Sequence, residues 1–98
     1  MEALAGELEA GQRALEQARW GAARQCFEAV LDIGESAAAR DGLGLALWFL
    51  GEITHGIAAR ECAAGLYGHA GQPDDAARTC VWVSHQHFVG GRVSAARG

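Results

Sequence analysis

Apolar side chains recur every three to four residues along most of this chain, which is the spacing of one helix face. From Glu2 to Arg19, Leu4, Leu8, Leu15 and Ala18 share a stripe, while Glu7, Glu9, Gln12, Arg13 and Glu16 are polar. A second stripe over Ala22 to Ile33 carries Phe27, Val30 and Leu31. The third holds Leu43, Leu47 and Leu50 at i, i+4 and i+7, with Trp48 and Phe49 beside them. The fourth restarts at Ile53 and continues through Ile57, Ala63 and Leu66. The fifth, Ala76 to Val89, carries Cys80, Val81, Trp82, Val83 and Phe88. Val81-Trp82-Val83 alone has the composition of a strand, but a single such run has no partner to pair with, so the pattern predicts helix there as well.

Turn residues separate these stripes. Trp20-Gly21 marks the first break, and Gly34-Glu35-Ser36 the second, with Ser36 placed to cap the helix that follows. Gly51 ends the third helix, where the absence of a Cβ makes a left-handed residue inexpensive. Gly68 to Asp74 is the longest break and contains Pro73, the one proline, just ahead of the fifth helix. Gly90-Gly91 predicts a further turn, after which Arg92 to Gly98 reads as the opening of a sixth helix. Small residues (Gly44, Ala46, Gly56, Ala59 and Ala63) punctuate the third and fourth helices and would let their backbones approach closely.

The helices also repeat. With an offset of about 33 residues, Gly11 falls on Gly44, Trp20 on Ile53, Ala23 on Gly56 and Val30 on Ala63. A period near 33 to 34 belongs to helix-turn-helix repeats that stack side by side. The pair Leu43-Gly44, the turn glycine Gly51 and the small residue Ala63 resemble a tetratricopeptide repeat. Ala23 and Phe27 in the first copy match that family's alanine and second-helix aromatic, where the second copy has Gly56 and Arg60. The resemblance implies an all-α fold: stacked helical hairpins forming a short right-handed α-solenoid of five to six helices. Residues 1–98 then make one domain, with repeats near 2–34, 36–71 and an incomplete 73–98. The short last repeat fits a fragment of a longer protein, or a segment that packs on another copy.

In the tetratricopeptide family the first helix of each repeat lines a concave groove. Carried over by position, that places Gln12, Asp41, Leu45, Trp48, Arg78, Val81, His85 and Phe88 on or near a partner-binding groove. The simpler role for aromatic side chains is core, and it is assigned to Phe49 and Trp82.

Composition narrows the functional classes. Half of the 98 residues are apolar and a fifth charged, the balance of a folded domain. The net charge is −4, and the eight basic residues, all arginine, are scattered, which argues against direct nucleic-acid contact. No apolar run approaches the roughly 20 residues of a membrane span. Cys26, Cys62 and Cys80 are odd in number and lie among apolar helix residues, where cysteine behaves as a small hydrophobe. With an acidic N-terminus in place of a signal peptide, a cytoplasmic location is expected. His85, His87 and Cys80 form the one cluster with metal-ligand character, but histidines two apart on a helix point to different faces. They are expected to pack partly buried near the helix end, and His55 and His69 to be solvated. Gly42-x-Gly44 lies within a helix and is no phosphate loop. No catalytic, metal or cofactor site is therefore expected.

The run GLGLALWFLGEITHGIAARECAAGLY, followed by GQPDDAARTCVWVS, is similar in texture to the repeat regions of large bacterial LuxR-type transcriptional regulators. That resemblance implies a regulatory or scaffold segment that binds a protein or peptide partner. A small-ligand sensor and a self-associating, homodimeric module are the alternatives.

Overall fold

The computed structural model describes residues 2–97, with side chains for residues 6–85. Five helices follow one another: α1 (Glu2–Glu16), α2 (Trp20–Ile33), α3 (Ala37–Phe49), α4 (Ile53–His69) and α5 (Pro73–Arg97). Among the described residues there is no strand, so the fold is all-α. Each helix packs on the next, and α1 also touches α3.

Three of the four connections share one geometry. Ala18, Gly51 and Gly71 each adopt a positive φ, of 58°, 88° and 74°. The amide of the residue after each donates back to a carbonyl five residues earlier: Arg19 to Ala14 at 2.8 Å, Glu52 to Leu47 at 2.9 Å and Gln72 to Tyr67 at 2.9 Å. This closure satisfies carbonyls that the helix end leaves without partners. Ala18 and Gly51 lie 33 positions apart, so the period read from the side chains reappears in the backbone. The remaining connection is different. Gly34 is extended, and the hydroxyl of Ser36 accepts from the Ala39 amide at 3.2 Å, capping α3 as expected.

One core spans α1 to α3, built from Ala14, Ala23, Phe27, Val30, Ala39, Leu43, Ala46 and Leu47, with Leu8, Leu15, Ala22 and Leu31 packed against it. Phe27 is completely buried and its ring lies against Gly11 of α1 and Gly42 of α3. The α3–α4 interface is closer still. A Cβ on Gly44 would come within 2.8 Å of the Gly56 carbonyl oxygen, and one on Gly56 within 2.9 Å of the Gly44 oxygen. The small residues therefore permit the close backbone approach expected of them. Ile57, Ala63, Tyr67, Thr79 and Val83 continue the buried interior towards α5.

Several expectations need correction. α2 starts at Trp20 and not at Ala22, because the turn is completed by Ala18 and Arg19. Gly90-Gly91 does not interrupt α5, so there is no separate sixth helix. An interior glycine costs roughly 1 kcal/mol of helix propensity without forbidding the helical backbone. Phe49 is 53% exposed and not part of the core. It lies outside the stripe of Leu43, Ala46 and Leu47, and its ring stacks on Trp20 at 4.2 Å. Cys62, Cys80 and His85 are exposed and not buried, since α4 and α5 turn those positions outward; Cys26 is half-buried. The side chains of Leu4, His87 and Phe88 lie outside the described residues.

Candidate functional site

The polar centre of the molecule is Asp41, in the second turn of α3. Its carboxylate is only 14% exposed and receives groups from both following helices. Tyr67 Oη of α4 donates to Oδ2 at 3.1 Å, and Arg78 Nη2 of α5 donates to the same oxygen at 3.1 Å. Arg60 of α4 brings Nε within 2.6 Å of Oδ1. The N–H is not aligned on that oxygen, so neither atom has a proper hydrogen-bond partner among the described residues. Charge and contact hold this pair more than a directed bond does. α3, α4 and α5 thus meet on one carboxylate.

Local sequence explains the arrangement. The Arg60 stem lies over Gly44, where a Cβ would sit 2.7 Å from Cδ, so only glycine leaves room for it. Beyond the stem, the guanidinium carbon lies 3.8 Å from the centroid of the Trp82 ring, a cation–π contact. Trp82 is half-buried and meets Trp48 edge to face, with centroids 5.9 Å apart. Arg60 and Tyr67 are seven residues apart and Arg60 and Gly56 four, so all three lie along one face of α4.

The ionisation of these groups follows from their surroundings. Burial, and then the neighbouring charge of Asp41, pushes the Tyr67 phenol up to about 12. Burial pulls the Arg60 guanidinium below its ordinary value, with Asp41 opposing the shift. The hydrogen bond to Asp41 raises Arg78. At neutral pH the Tyr67 phenol is therefore neutral, and it donates to Asp41.

This network forms one wall of an open concavity of about 360 Å³ between α1, α3 and α5. Gln12, Asp41, Leu45 and Arg78, all placed on a groove by position in the repeat, line it together with Arg60, Tyr67 and Trp82. Trp48, also placed on the groove, touches Trp82 edge to face but does not line the concavity. Val81 is 70% exposed and His85 is exposed, and neither lines the concavity. Phe88, also placed on the groove, has its side chain outside the described residues. Position in the repeat does not point to Arg60 or Tyr67, and Trp82 joins the wall of the concavity where a place in the core is expected of it. Arg60 does leave a signal: it is the charged residue in the stripe of Ile57, Ala63 and Tyr67, at the position where the repeat pattern has an aromatic.

A second hollow of about 370 Å³ lies on the α2–α3–α4 side, lined by residues including Arg24, Glu28, Arg40, Glu52 and His55. Its charges are paired, within the hollow or with Glu35 beside it. Arg24 bridges Glu52 and Glu28, and Arg40 pairs with Glu35 at 2.8 Å. His55 lies 4.0 Å from Glu52. Among the described residues, no three His, Cys, Asp or Glu side chains gather as metal ligands, and no helix is long and apolar enough to cross a membrane.

Comparison of the chain with protein-family models, curated proteins and solved structures found no match in any of the three.

Proposed function

We propose that this chain is a protein-interaction module of tetratricopeptide-like hairpins, and that the concavity between α1, α3 and α5 holds a segment of a partner polypeptide. Its setting in this reading is the regulatory repeat region of a LuxR-type transcriptional regulator. The supporting observation is that Gln12, Asp41, Leu45 and Arg78, from three different helices, line a single open concavity. Mixed apolar and hydrogen-bonding walls suit an extended or helical peptide better than a small metabolite, which an enclosed, largely apolar pocket would serve.

Selection of a displayed peptide library against the folded chain tests this reading. Selected peptides should lose binding to Leu45→Glu and keep it with Glu28→Gln, which alters the opposite hollow. Peptides insensitive to Leu45→Glu would sink the assignment.

Self-association is the second reading. Ile33, Phe49, Leu50 and Val81 are large apolar side chains left exposed, and a second copy could cover them. Light scattering over a concentration series decides this: a mass that stays at 10.3 kDa throughout rejects it.

A further inference from the structure

A third hollow, of about 360 Å³, is lined only by α1, α2 and the turn between them, and shares no residue with the α1–α3–α5 concavity. Ala10, Ala14, Ala22 and Cys26 are its buried or half-buried floor, and Arg13, Gln17 and Arg19 its exposed rim. The internal repeat shows what covers such a surface. With the offset of 33 residues, Ala14, Arg19, Ala22 and Cys26 fall on Leu47, Glu52, His55 and Ala59, and all four of these line the α2–α3–α4 hollow. In that second copy a further helix lies against the hairpin: α2 adds Arg24 and Glu28 to the lining, and Arg24 pairs with Glu52. In the first copy no other helix lines the corresponding surface among the described residues. Stacked repeats cover such faces helix by helix, so a bare one with an apolar floor is open to a helix from elsewhere.

The charge at the central position is reversed between the copies, since Arg19 stands where Glu52 does. Of the arginines with described side chains, Arg24, Arg40, Arg60 and Arg78 each pair with a carboxylate. Arg13 and Arg19 have no such pair among the described residues, and both stand on this one rim. That is notable in a chain with twelve acidic residues and eight basic ones. The α2 helix begins beside them with no acidic residue in its first turn and no capping side chain, so its dipole adds to the positive field. The acidic neighbours lie elsewhere. Glu7 stands near the Cys26 thiol, about a turn before Ala10 and away from the α1–α2 turn, and Glu9 and Glu16 on α1 do not come within ion-pair distance of Arg13.

We infer that the α1–α2 hollow docks an acidic helix of a partner polypeptide, which rests small or apolar side chains on the Ala10–Ala14–Ala22–Cys26 floor and extends a Glu or Asp to Arg19 and Arg13. The docked helix takes the place on the first hairpin that α2 takes on the second, with the sign of its central charge inverted. Charge complementarity of this kind selects the partner and its register more than it adds affinity. The surface is separate from the concavity, so a partner segment can occupy either without the other.

Two end-capped peptides copied from α2 (Trp20–Ile33) test this on the whole ¹⁵N-labelled chain. Both carry Cys26→Ala against oxidation, and one also carries Arg24→Glu. The readouts are the side-chain Nε–H signals of Arg13 and Arg19 and the backbone amides of Gln17 and Ala22. The Arg24→Glu peptide should shift these signals saturably and bind about fivefold tighter than its Arg24 counterpart, the scale of one exposed ion pair. The chain's net charge of −4 repels the more acidic peptide, so non-specific electrostatics would give the opposite order. Salt at about 1 M should bring the two within about twofold. Arg19→Glu in the chain, at an exposed position without an ion pair, should reverse the order. Equal binding at these signals, or tighter binding of the Arg24 peptide, would overturn the acidic partner. Absence of saturable shifts there with both peptides, or shifts confined to α3 and α4, would overturn the hollow as a docking site. The peptides are first compared on the unaltered chain, so the result does not depend on a variant folding.

Discussion

Gly42→Ala is the most discriminating change to the fold, because two known effects oppose each other there. Glycine inside a helix is roughly 1 kcal/mol worse than alanine, so the substitution in α3 should stabilise if nothing else happens. The structure opposes this. An ideal Cβ on Gly42 would lie 2.6 Å from Phe27 Cε2 and 2.8 Å from Cε1, and nearer still to Cζ. Ordinary carbon contacts are about 3.5–4.0 Å, so the ring would have to withdraw by about 1 Å. Withdrawal is blocked by Gly11 on the other helix, whose own ideal Cβ would sit 2.8 Å from Cε1. Overpacking of this kind costs about 1–3 kcal/mol. Less the propensity gain, the net loss should be about 0–2 kcal/mol, and at its upper end roughly 8–16 °C in Tm for a domain of this size.

Urea unfolding followed by circular dichroism measures this loss, and two companions make the interpretation specific. Gly65→Ala, on α4 with open space at its Cβ, should stabilise the protein by about 0.5–1 kcal/mol. Phe27→Leu removes the far ring atoms, so in the Gly42→Ala background it should cost at least 1 kcal/mol less than it does alone. If Gly42→Ala proved as stable as the parent, and its effect simply added to that of Phe27→Leu, then Phe27 would not be wedged between α1 and α3.

Ala18 is the non-glycine residue with positive φ, and Ala18→Gly should raise stability by about 1 kcal/mol, seen as a later urea midpoint with an unchanged slope. Asp41→Asn should cost about 3 kcal/mol, because it leaves the buried Arg60 guanidinium without its counter-charge; adding Arg60→Met should recover part of that loss, and no recovery would contradict the ion-pair account. Tyr67 is the sole tyrosine, so absorbance near 295 nm follows it alone, and its midpoint should lie near 12 where an exposed phenol titrates near 10. Its folded value is raised, so the stability it contributes is full below about pH 10 and is lost as pH rises through about 12, which alkaline melts should show.

Much of the fold was legible because apolar spacing and turn chemistry point the same way. Leu43 and Leu47 on one stripe, Gly51 at the turn and Ser36 at the cap each have a local cause, and each acts as its local chemistry predicts. Prediction failed where long-range contact or tolerance decides. Gly90-Gly91 reads as a turn by composition, yet α5 runs through it, since propensity is a weak prior that a continuous helix can override. Phe49 reads as core by hydrophobicity, but it is half-exposed on the side of α3 where Trp20 stacks on it, so the two rings shield each other at the surface. Ala18 gave no warning at all: nothing local marks an alanine for a left-handed turn, and only the 33-residue correspondence with Gly51 connects the two.

The concavity was half legible, and the missing half explains its character. Gln12, Asp41, Leu45 and Arg78 could be placed because position in a repeat fixes which helix face a residue occupies. Arg60 could not, because a lone arginine in an apolar stripe says that something must compensate its charge without saying what. The compensation comes from three separate places: a carboxylate 19 residues earlier on α3, the Trp82 ring on α5, and the missing side chain of Gly44 beneath its stem. Each of these would be unremarked alone, and together they accommodate a guanidinium at 4% exposure. Asp75 also reaches Arg78, at 3.5 Å, so two carboxylates together offset the two guanidiniums that meet at Asp41. The substitution that makes this copy a poorer match to the repeat pattern is therefore also what ties α3, α4 and α5 together around one carboxylate.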